Sequence, residues 1–163
     1  MNNKLERFIE AQEKSYEEAL KEIKNGRKET HWMWYIFPQI TGLGMTYISN
    51  YYSIKSIEEA EEYLKNIQLR TNLEEITKEL LKLKTNDSEQ LLGPIDSLKL
   101  KSSMTLFDYI EPDTIYNLVL QKYYSGEKDN KTLEILSKMS KEKVNVILDT
   151  DTYWLIIDML LLL

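Results

Sequence analysis

Apolar residues recur at three- and four-residue steps along most of this 163-residue chain, and this spacing constrains the fold more than any other feature. A chain with this period is expected to bury one face of each of several amphipathic helices rather than one face of a sheet. The first run, Leu5 to Ile23, stops at Asn25-Gly26, a typical helix C-terminus. Capping boxes at Ser56–Glu59 and Thr71–Glu74 predict the starts of two further helices.

Glycine and proline divide the rest of this pattern into short helices. Gly93-Pro94 breaks the chain, and Asp96 is placed to cap a helix that continues to Ile110. Pro112 is expected to be the first residue of the next helix, which Gly126 closes. Asp129 is then placed to cap a shorter helix. The fold class predicted from these signals is mostly α: a compact, single-domain, multi-helix bundle.

The C-terminal segment is harder to assign. Residues 137–163 mix β-branched and leucine-rich runs, which fit a strand or a buried helix equally well. Since no linker rich in Pro, Gly or Ser divides the chain, we expect a helical domain over residues 1–136 and an extension, residues 137–163, packing on it. The apolar run at its end is too short to span a bilayer and is interrupted by Asp158. The extension is therefore also a candidate contact between copies in a homo-oligomer.

Composition excludes several classes of function. The formal charge of −6 argues against binding to duplex nucleic acid or to an anionic membrane, because phosphate binding needs clustered cations. The absence of cysteine removes thiol nucleophiles and Cys-based metal sites, and a single histidine leaves little for zinc. We expect no metal and no cofactor. The N-terminal residues lack the apolar stretch of a signal peptide, so we expect no export signal, and the absence of cysteine favours a reducing cytoplasm.

The stretch GRKETHWMWYIFPQITGLG, residues 26–44, concentrates two tryptophans, the histidine and two glycines beside an Arg-Lys pair. In a functional interpretation one tryptophan stacks on a flat ligand, the cations meet its anionic group and the histidine hydrogen-bonds to it. In the alternative interpretation the tryptophans fill the core and the histidine pairs with a buried carbonyl. Ligand-binding candidates in this block are Arg27, Lys28, His31, Trp32, Trp34, Phe37 and Gln39.

A second stretch, KLKSSMTLF at residues 99–107, interrupts an apolar helical pattern with lysines and hydroxyls. A helix that is apolar on one side and carries Lys, Ser and Thr on another suits the wall of an anion pocket. The alternative is a solvated face with serines in mid-helix. The candidates here are Lys99, Lys101, Ser102, Ser103 and Thr105.

From about Leu5 to Leu136 the sequence resembles the domain-of-unknown-function 1810 family, sometimes labelled calpastatin in bacterial genomes. An HWMW-F-FPQ-GLG block and a KL-SSMTLF block carry the resemblance. The resemblance implies a compact, mostly helical cytoplasmic domain and says little about activity. The family's signature residues lie within residues 26–44 and 99–107, the same two stretches that contain the ligand-binding candidates. This agreement favours a pocket formed by both stretches.

Three functions follow from these patterns. The first is a binding protein that senses or sequesters a small anionic molecule, such as a nucleotide derivative, between the two blocks. The second is a hydrolase or transferase acting on a nucleotide or an ADP-ribose-like substrate, with His31 as general acid and base. The third is a protein-interaction module with an exposed apolar surface. The lack of a cysteine or a recognisable triad favours binding over catalysis.

Overall fold

A computed structural model describes residues 4–161 of the chain, so the outermost residues of both predicted ranges, 1–136 and 137–163, lie outside the described residues. The described residues form nine helices and no strand, which confirms the mostly α fold class. The helices are α1 Glu6–Lys24, α2 Met33–Ile36, α3 Tyr47–Tyr51, α4 Ile57–Lys65, α5 Ile67–Lys82, α6 Ser88–Leu92, α7 Pro94–Ile110, α8 Ile115–Tyr124 and α9 Asn130–Leu161.

Helix ends with a single strong signal lie where the sequence predicts them. Helix α1 ends beside Gly26, whose φ of 76° is accessible to glycine at little cost. Ser56 Oγ caps α4 by accepting from the Glu59 amide at 3.1 Å. The Glu59 carboxylate turns back to the Lys55 amide at 3.2 Å and also pairs with Arg7. The capping box at Ser56 is thus formed, with its return bond one residue earlier than usual.

Three predicted helix starts are wrong. Thr71 lies inside α5, because Asn66 ends α4 and caps α5 by accepting from the Leu69 amide at 3.0 Å. Asp96 is in the first turn of α7 and is not its N-cap, which is Gly93. Pro112 is followed by Asp113 with φ of 61°, and α8 begins only after Thr114. In the first two cases the helix starts at an earlier residue, Asn66 or Gly93, and the carboxylate of Asp96 pairs with lysines instead.

Helix α7 is central to the fold and is covered on several sides. It packs against α4, α6, α8 and α9, while α1 packs against α2 and α5. Leu100, Met104 and Phe107 are fully buried, and so are the hydroxyl residues Ser103 and Thr105. Thr105 Oγ1 donates to the Lys101 carbonyl at 2.8 Å, which satisfies the hydroxyl within the helix. The hydroxyls of this block therefore do not form the solvated face that the alternative interpretation required.

A loop and the short helix α3 begin and end at one backbone bridge. Ile40 and Ile54 form an isolated parallel bridge, and both side chains are buried. The Thr41 amide donates to the Ile54 carbonyl, and the Ile54 amide donates to the Gln39 carbonyl, both at 2.8 Å. The segment 41–53 therefore leaves and re-enters the core at the same place.

Helix α9 has 32 residues and extends past the body. In its first turns Thr132 and Leu136 are buried and Met139 is half-buried. Lys143 Nζ then pairs with Glu58 at 2.8 Å, and residues 141–150 and 152–161 are exposed except for half-buried Ile157. The segment from 137 is thus helical and continues the helix that begins at Asn130. This corrects the expectation that the whole extension packs on the helical domain, because only the first part of α9 contacts the body.

Candidate functional site

One buried carboxylate forms hydrogen bonds to the start of residues 26–44, which we call the aromatic block. Glu22 on α1 is buried and accepts from the Glu29 amide at 2.7 Å and the Thr30 amide at 3.1 Å. It also accepts from Thr30 Oγ1 at 2.5 Å and from the Trp32 indole N–H at 2.8 Å. Burial opposes ionisation of Glu22, but these hydrogen bonds together outweigh it and lower its pKa. Residues 29–32 are thereby fixed to α1.

The two tryptophans of this block have different environments. Trp32 is only 1% exposed and packs 6.2 Å from the ring of Phe37, itself fully buried. Trp34, two residues later, is half-buried on the short helix α2. The Gln12 side chain on α1 fixes α2 by donating to the Tyr35 carbonyl at 2.8 Å. Trp32 and Phe37 are therefore core residues, and Trp34 is the tryptophan that remains accessible.

Asp96 connects the aromatic block to residues 99–107, which we call the lysine-serine block, through two ion pairs. Its carboxylate pairs with Lys28 Nζ at 2.9 Å and with Lys99 Nζ at 2.8 Å. The ammonium of Lys99 also lies 3.7 Å from the centroid of a Trp34 ring, within the range of a cation–π interaction. Lys28 lies 5.2 Å from a ring of Trp32. Two lysines, two tryptophans and one aspartate thus form a connected cluster.

The electrostatics of this cluster keep Asp96 ionised. Its burial favours the neutral acid, but hydrogen bonds from Lys99 and Lys28 and their positive charges together lower its pKa. With both lysines protonated, the group of three side chains carries a net charge of +1, in a chain whose formal charge is −6. The cluster is therefore locally positive.

A cleft of about 240 Å³ opens beside this cluster. It lies between the aromatic block, the start of α7 and the start of α9, and it combines polar side chains with an apolar rim. Its lining consists of Trp34, Gln39, Leu43, Gly44, Ile95, Leu98, Lys99, Ser102, Asp129 and Lys131. Residues from three segments therefore line one cleft, and the first two of these segments are about sixty positions apart in the sequence.

The first turn of α9 forms one side of the cleft. Asp129 caps the helix by accepting from the Thr132 amide at 2.9 Å and from its hydroxyl at 2.6 Å. The Asp129 amide donates to Thr105 Oγ1 at 2.9 Å, which joins α9 to α7. Lys131 adds a positive charge next to the helix N-terminus, where backbone N–H groups already favour anions.

Gly44 lets the loop pass close to α3 at the floor of the cleft. A Cβ on Gly44 would lie 2.6 Å from both Cβ and Oγ of Ser49, which is buried and donates to the Thr46 carbonyl at 2.8 Å. Gly44→Ala is therefore expected to destabilise the protein by about 1–3 kcal/mol through overpacking, measured by urea denaturation. Ser49→Gly in the same chain should recover part of this loss. Additive effects of the two substitutions would contradict the close contact.

Several predicted site residues lie away from the cleft lining. Arg27 and His31 are exposed, and the His31 carbonyl accepts from the Tyr35 hydroxyl at 3.3 Å. Lys101 points instead toward Glu127, with Nζ 3.3 Å from its carboxylate. Ser103 and Thr105 are fully buried in the core. Of the twelve candidates, the structure brings together at the cleft Trp34, Gln39, Lys99 and Ser102, with Lys28 behind Asp96.

Sequence reasoning missed the acidic and apolar parts of the cleft. The sequence predicts Asp96 as a helix cap, although its spacing of three residues from Lys99 is also that of an ion pair on one helix face, which lies beside the cleft. No local sequence pattern marks Leu43, Ile95 and Leu98 as cleft residues. Lys131 lies at the cleft because α9 packs on α7. Among residues 4–161, no three His, Asp or Glu side chains lie close enough together to hold a metal ion. Within the same range, no helix is both long enough and apolar enough to cross a bilayer.

Comparison with known proteins places the chain in a family. A family model described as "Protein of unknown function (DUF1810)" matches residues 2–136, which include both segments of the cleft and the start of α9. The chain is also similar to the conserved hypothetical protein Rv1873 from Mycobacterium tuberculosis, whose crystal structure is known. The two share 40% identity and a TM-score of 0.79, over 82% of this chain and 96% of that one. No curated protein matches the chain significantly. Since the family model covers most of the chain, the protein belongs to the DUF1810 family.

Proposed function

We propose that this protein binds a small anionic ligand, such as a nucleotide derivative, in the cleft between α2, α7 and α9. The observation that carries the proposal is the shared lining: Trp34 and Gln39 from one block meet Lys99 and Ser102 from the other. An accessible indole, an amide and an ammonium together can recognise an aromatic ring and an oxyanion, whereas the Ser102 hydroxyl donates to the Leu98 carbonyl at 3.1 Å and offers an acceptor.

Charge supports an anion rather than a cation in the cleft. Lys28, Lys99 and Lys131 outnumber Asp96 and Asp129, and the start of α9 adds a partial positive charge. Part of a Trp34 ring face is already covered by the Lys99 ammonium. A ligand is therefore expected to meet this lysine with its anionic group and to contact the remaining accessible part of the indole with its ring.

The size of the cleft limits how much of a ligand it encloses. Its volume of about 240 Å³ is smaller than the roughly 300–1,000 Å³ of typical ligand pockets. A nucleotide would therefore place one part, such as a phosphate or a base, in the cleft and leave the rest against the apolar rim of Ile95 and Leu98, which are 70% and 65% exposed.

Binding requires fewer features than catalysis, and the geometry favours binding. His31 is exposed and lies outside the cleft lining that the structure describes. The carboxylate of Asp129 is occupied as the cap of α9. Sequestration or sensing of the ligand needs neither a general acid nor a nucleophile.

Lys99→Gln is expected to weaken binding about 10- to 100-fold, because a charge-assisted hydrogen bond contributes about 1.5–3 kcal/mol. The measurement is isothermal titration calorimetry with a panel of nucleotides, cyclic nucleotides, ADP-ribose and inorganic phosphate. Lys101→Gln is the matched control: it removes the same charge two residues away, where the lysine faces Glu127. Equal losses in both variants, or no binding by any member of the panel, would contradict the proposal.

Analysis of the recovered ligand tests binding against turnover. Ligand released intact after denaturation of the complex agrees with capture. Steady formation of product that His31→Gln abolishes would replace the binding proposal with the enzymatic alternative, in which His31 transfers a proton.

A further inference from the structure

The second half of α9, residues 144–161, exposes an unusual amount of apolar surface. Its large side chains include Val146, Tyr153 and Leu160, each of which is 65% exposed. Monomeric proteins rarely expose contiguous apolar patches of more than a few hundred Å². This half of the helix therefore has the character of a contact surface.

The exposed surface continues the stripe by which α9 packs on its own domain. Thr132, Leu136 and Met139 face the body, and Lys143 marks the last ion pair with it. The same alternation of four- and three-residue steps then continues through Val146, Thr150, Tyr153, Ile157 and Leu160. A repeat of 3.5 residues on average keeps one seam facing a neighbouring helix along its whole length.

Charge along α9 indicates what covers this seam. Residues 130–143 contain four lysines and two glutamates, whereas every charged residue from 144 to 161 is an aspartate. A parallel pair of such helices would place aspartates beside aspartates. An antiparallel pair places the acidic half of each helix beside the lysine-rich half of the other, which is favourable. The acidic half also argues against docking on an anionic membrane surface.

The first half of α9 has room for a second helix beside it. A groove of about 450 Å³ follows the seam there, between α9 and the start of α4. Its lining combines apolar Ile57 and Met139 with Lys55 and Lys143, and it also contains Glu142 and Glu58, the partner of Lys143. The groove therefore offers apolar contacts to a second helix, with lysines along its edge for the aspartates of that helix.

We infer that residues 144–161 of α9 dock antiparallel on α9 of a second copy of this chain, with each acidic half lying along the groove at the other copy's lysine-rich half. This contact is separate from the cleft and does not depend on the proposed ligand. The expected species is a dimer with two-fold symmetry.

Light scattering of the full chain and of two variants tests the contact. The parent protein should be a dimer that dissociates on dilution. Ile157→Glu, on the seam, should be monomeric at concentrations where the parent is dimeric. Leu155→Glu, the matched control on the opposite face of the same helix, should remain dimeric. A monomeric parent, including one that binds anionic vesicles, would overturn the inference, and so would equal behaviour of the two variants. Circular dichroism checks that both variants keep their helices.

Pyrene labelling tests the orientation, and the lack of native cysteine allows a single label in each variant. Ile147→Cys and Leu161→Cys place the label two heptads apart on the same side of the helix. If the helices cross near Val146, which places Asp149 of each copy beside Lys143 of the other, the two labels in the dimer are displaced along the helix axis by about 3 Å at residue 147 and about 45 Å at residue 161. We expect excimer emission from the first variant alone, and excimer emission from both would show a parallel pair.

Discussion

Replacing Glu22 by alanine is expected to lower the free energy of unfolding by about 2–4 kcal/mol. The carboxylate accepts hydrogen bonds from Glu29, Thr30 and Trp32, and its loss leaves the buried indole N–H without an acceptor. The backbone amides of Glu29 and Thr30 can hydrogen-bond to water instead. The unpaired indole N–H of Trp32 therefore accounts for much of the loss of stability. Urea denaturation followed by circular dichroism measures the change. Glu18→Ala, an exposed glutamate on the same helix, is the control and should change stability by less than about 0.5 kcal/mol.

The same carboxylate makes stability depend on pH. The folded-state pKa of Glu22 is lowered below its usual value of 4.5, so its contribution is present above that pH and is lost as the pH falls through the folded-state pKa. Glu22→Gln cannot titrate at this position. The stability difference between the parent and this variant should therefore be largest near neutral pH and become smaller below about pH 4.5. A difference that stays constant down to acid pH would show that ionisation of Glu22 contributes nothing.

Trp32→Ala is expected to cost about 3–5 kcal/mol of stability, because it empties a site in which the indole is 1% exposed. Trp34→Ala should cost much less, since Trp34 is half-buried at the edge of the cleft. The two variants remove the same side chain two residues apart and therefore control for each other in thermal and urea melts. The effects on ligand affinity should be reversed when only the folded fraction of each variant is compared. Trp34→Ala should then lose more affinity than Trp32→Ala. Similar stability losses in both variants would make Trp34 a core residue and weaken the proposed site.

Helices with one unambiguous signal could be predicted from sequence, and those with competing signals could not. Helix α1 ends at Asn25-Gly26 and Ser56 caps α4, as the local signals predict. Helix α5 starts at Asn66 and not at Thr71, which is five residues later. The Asn66 side chain caps the helix by accepting from the Leu69 amide. Residues 137–161 became helical because α9 meets no glycine or proline after Asn130. Their exposure depends on packing that local periodicity does not contain.

The cleft was predictable in outline and not in detail. The two blocks stood out by composition and by resemblance, and the structure places them side by side through Asp96. The sequence left open which tryptophan is accessible, because Trp32 and Trp34 are two positions apart and α2 has only four residues. The hydrogen bond from Trp32 to Glu22 settles this choice, and it joins elements whose contact no local pattern predicts. Binding of a ligand in the cleft remains a prediction.

The bridge between Ile40 and Ile54 has a consequence for how this family can diversify. Because the ends of the 41–53 loop are fixed to each other by backbone hydrogen bonds, the loop can change length without moving the buried isoleucines on which the bundle packs. Doubling the length of a closed flexible loop costs only about 0.6 kcal/mol. Leu43 and Gly44, which line the cleft, belong to this loop, whereas Lys99 and Ser102 belong to the central helix α7. One wall of the cleft can therefore evolve new selectivity while the opposite wall, which is part of the core, stays unchanged.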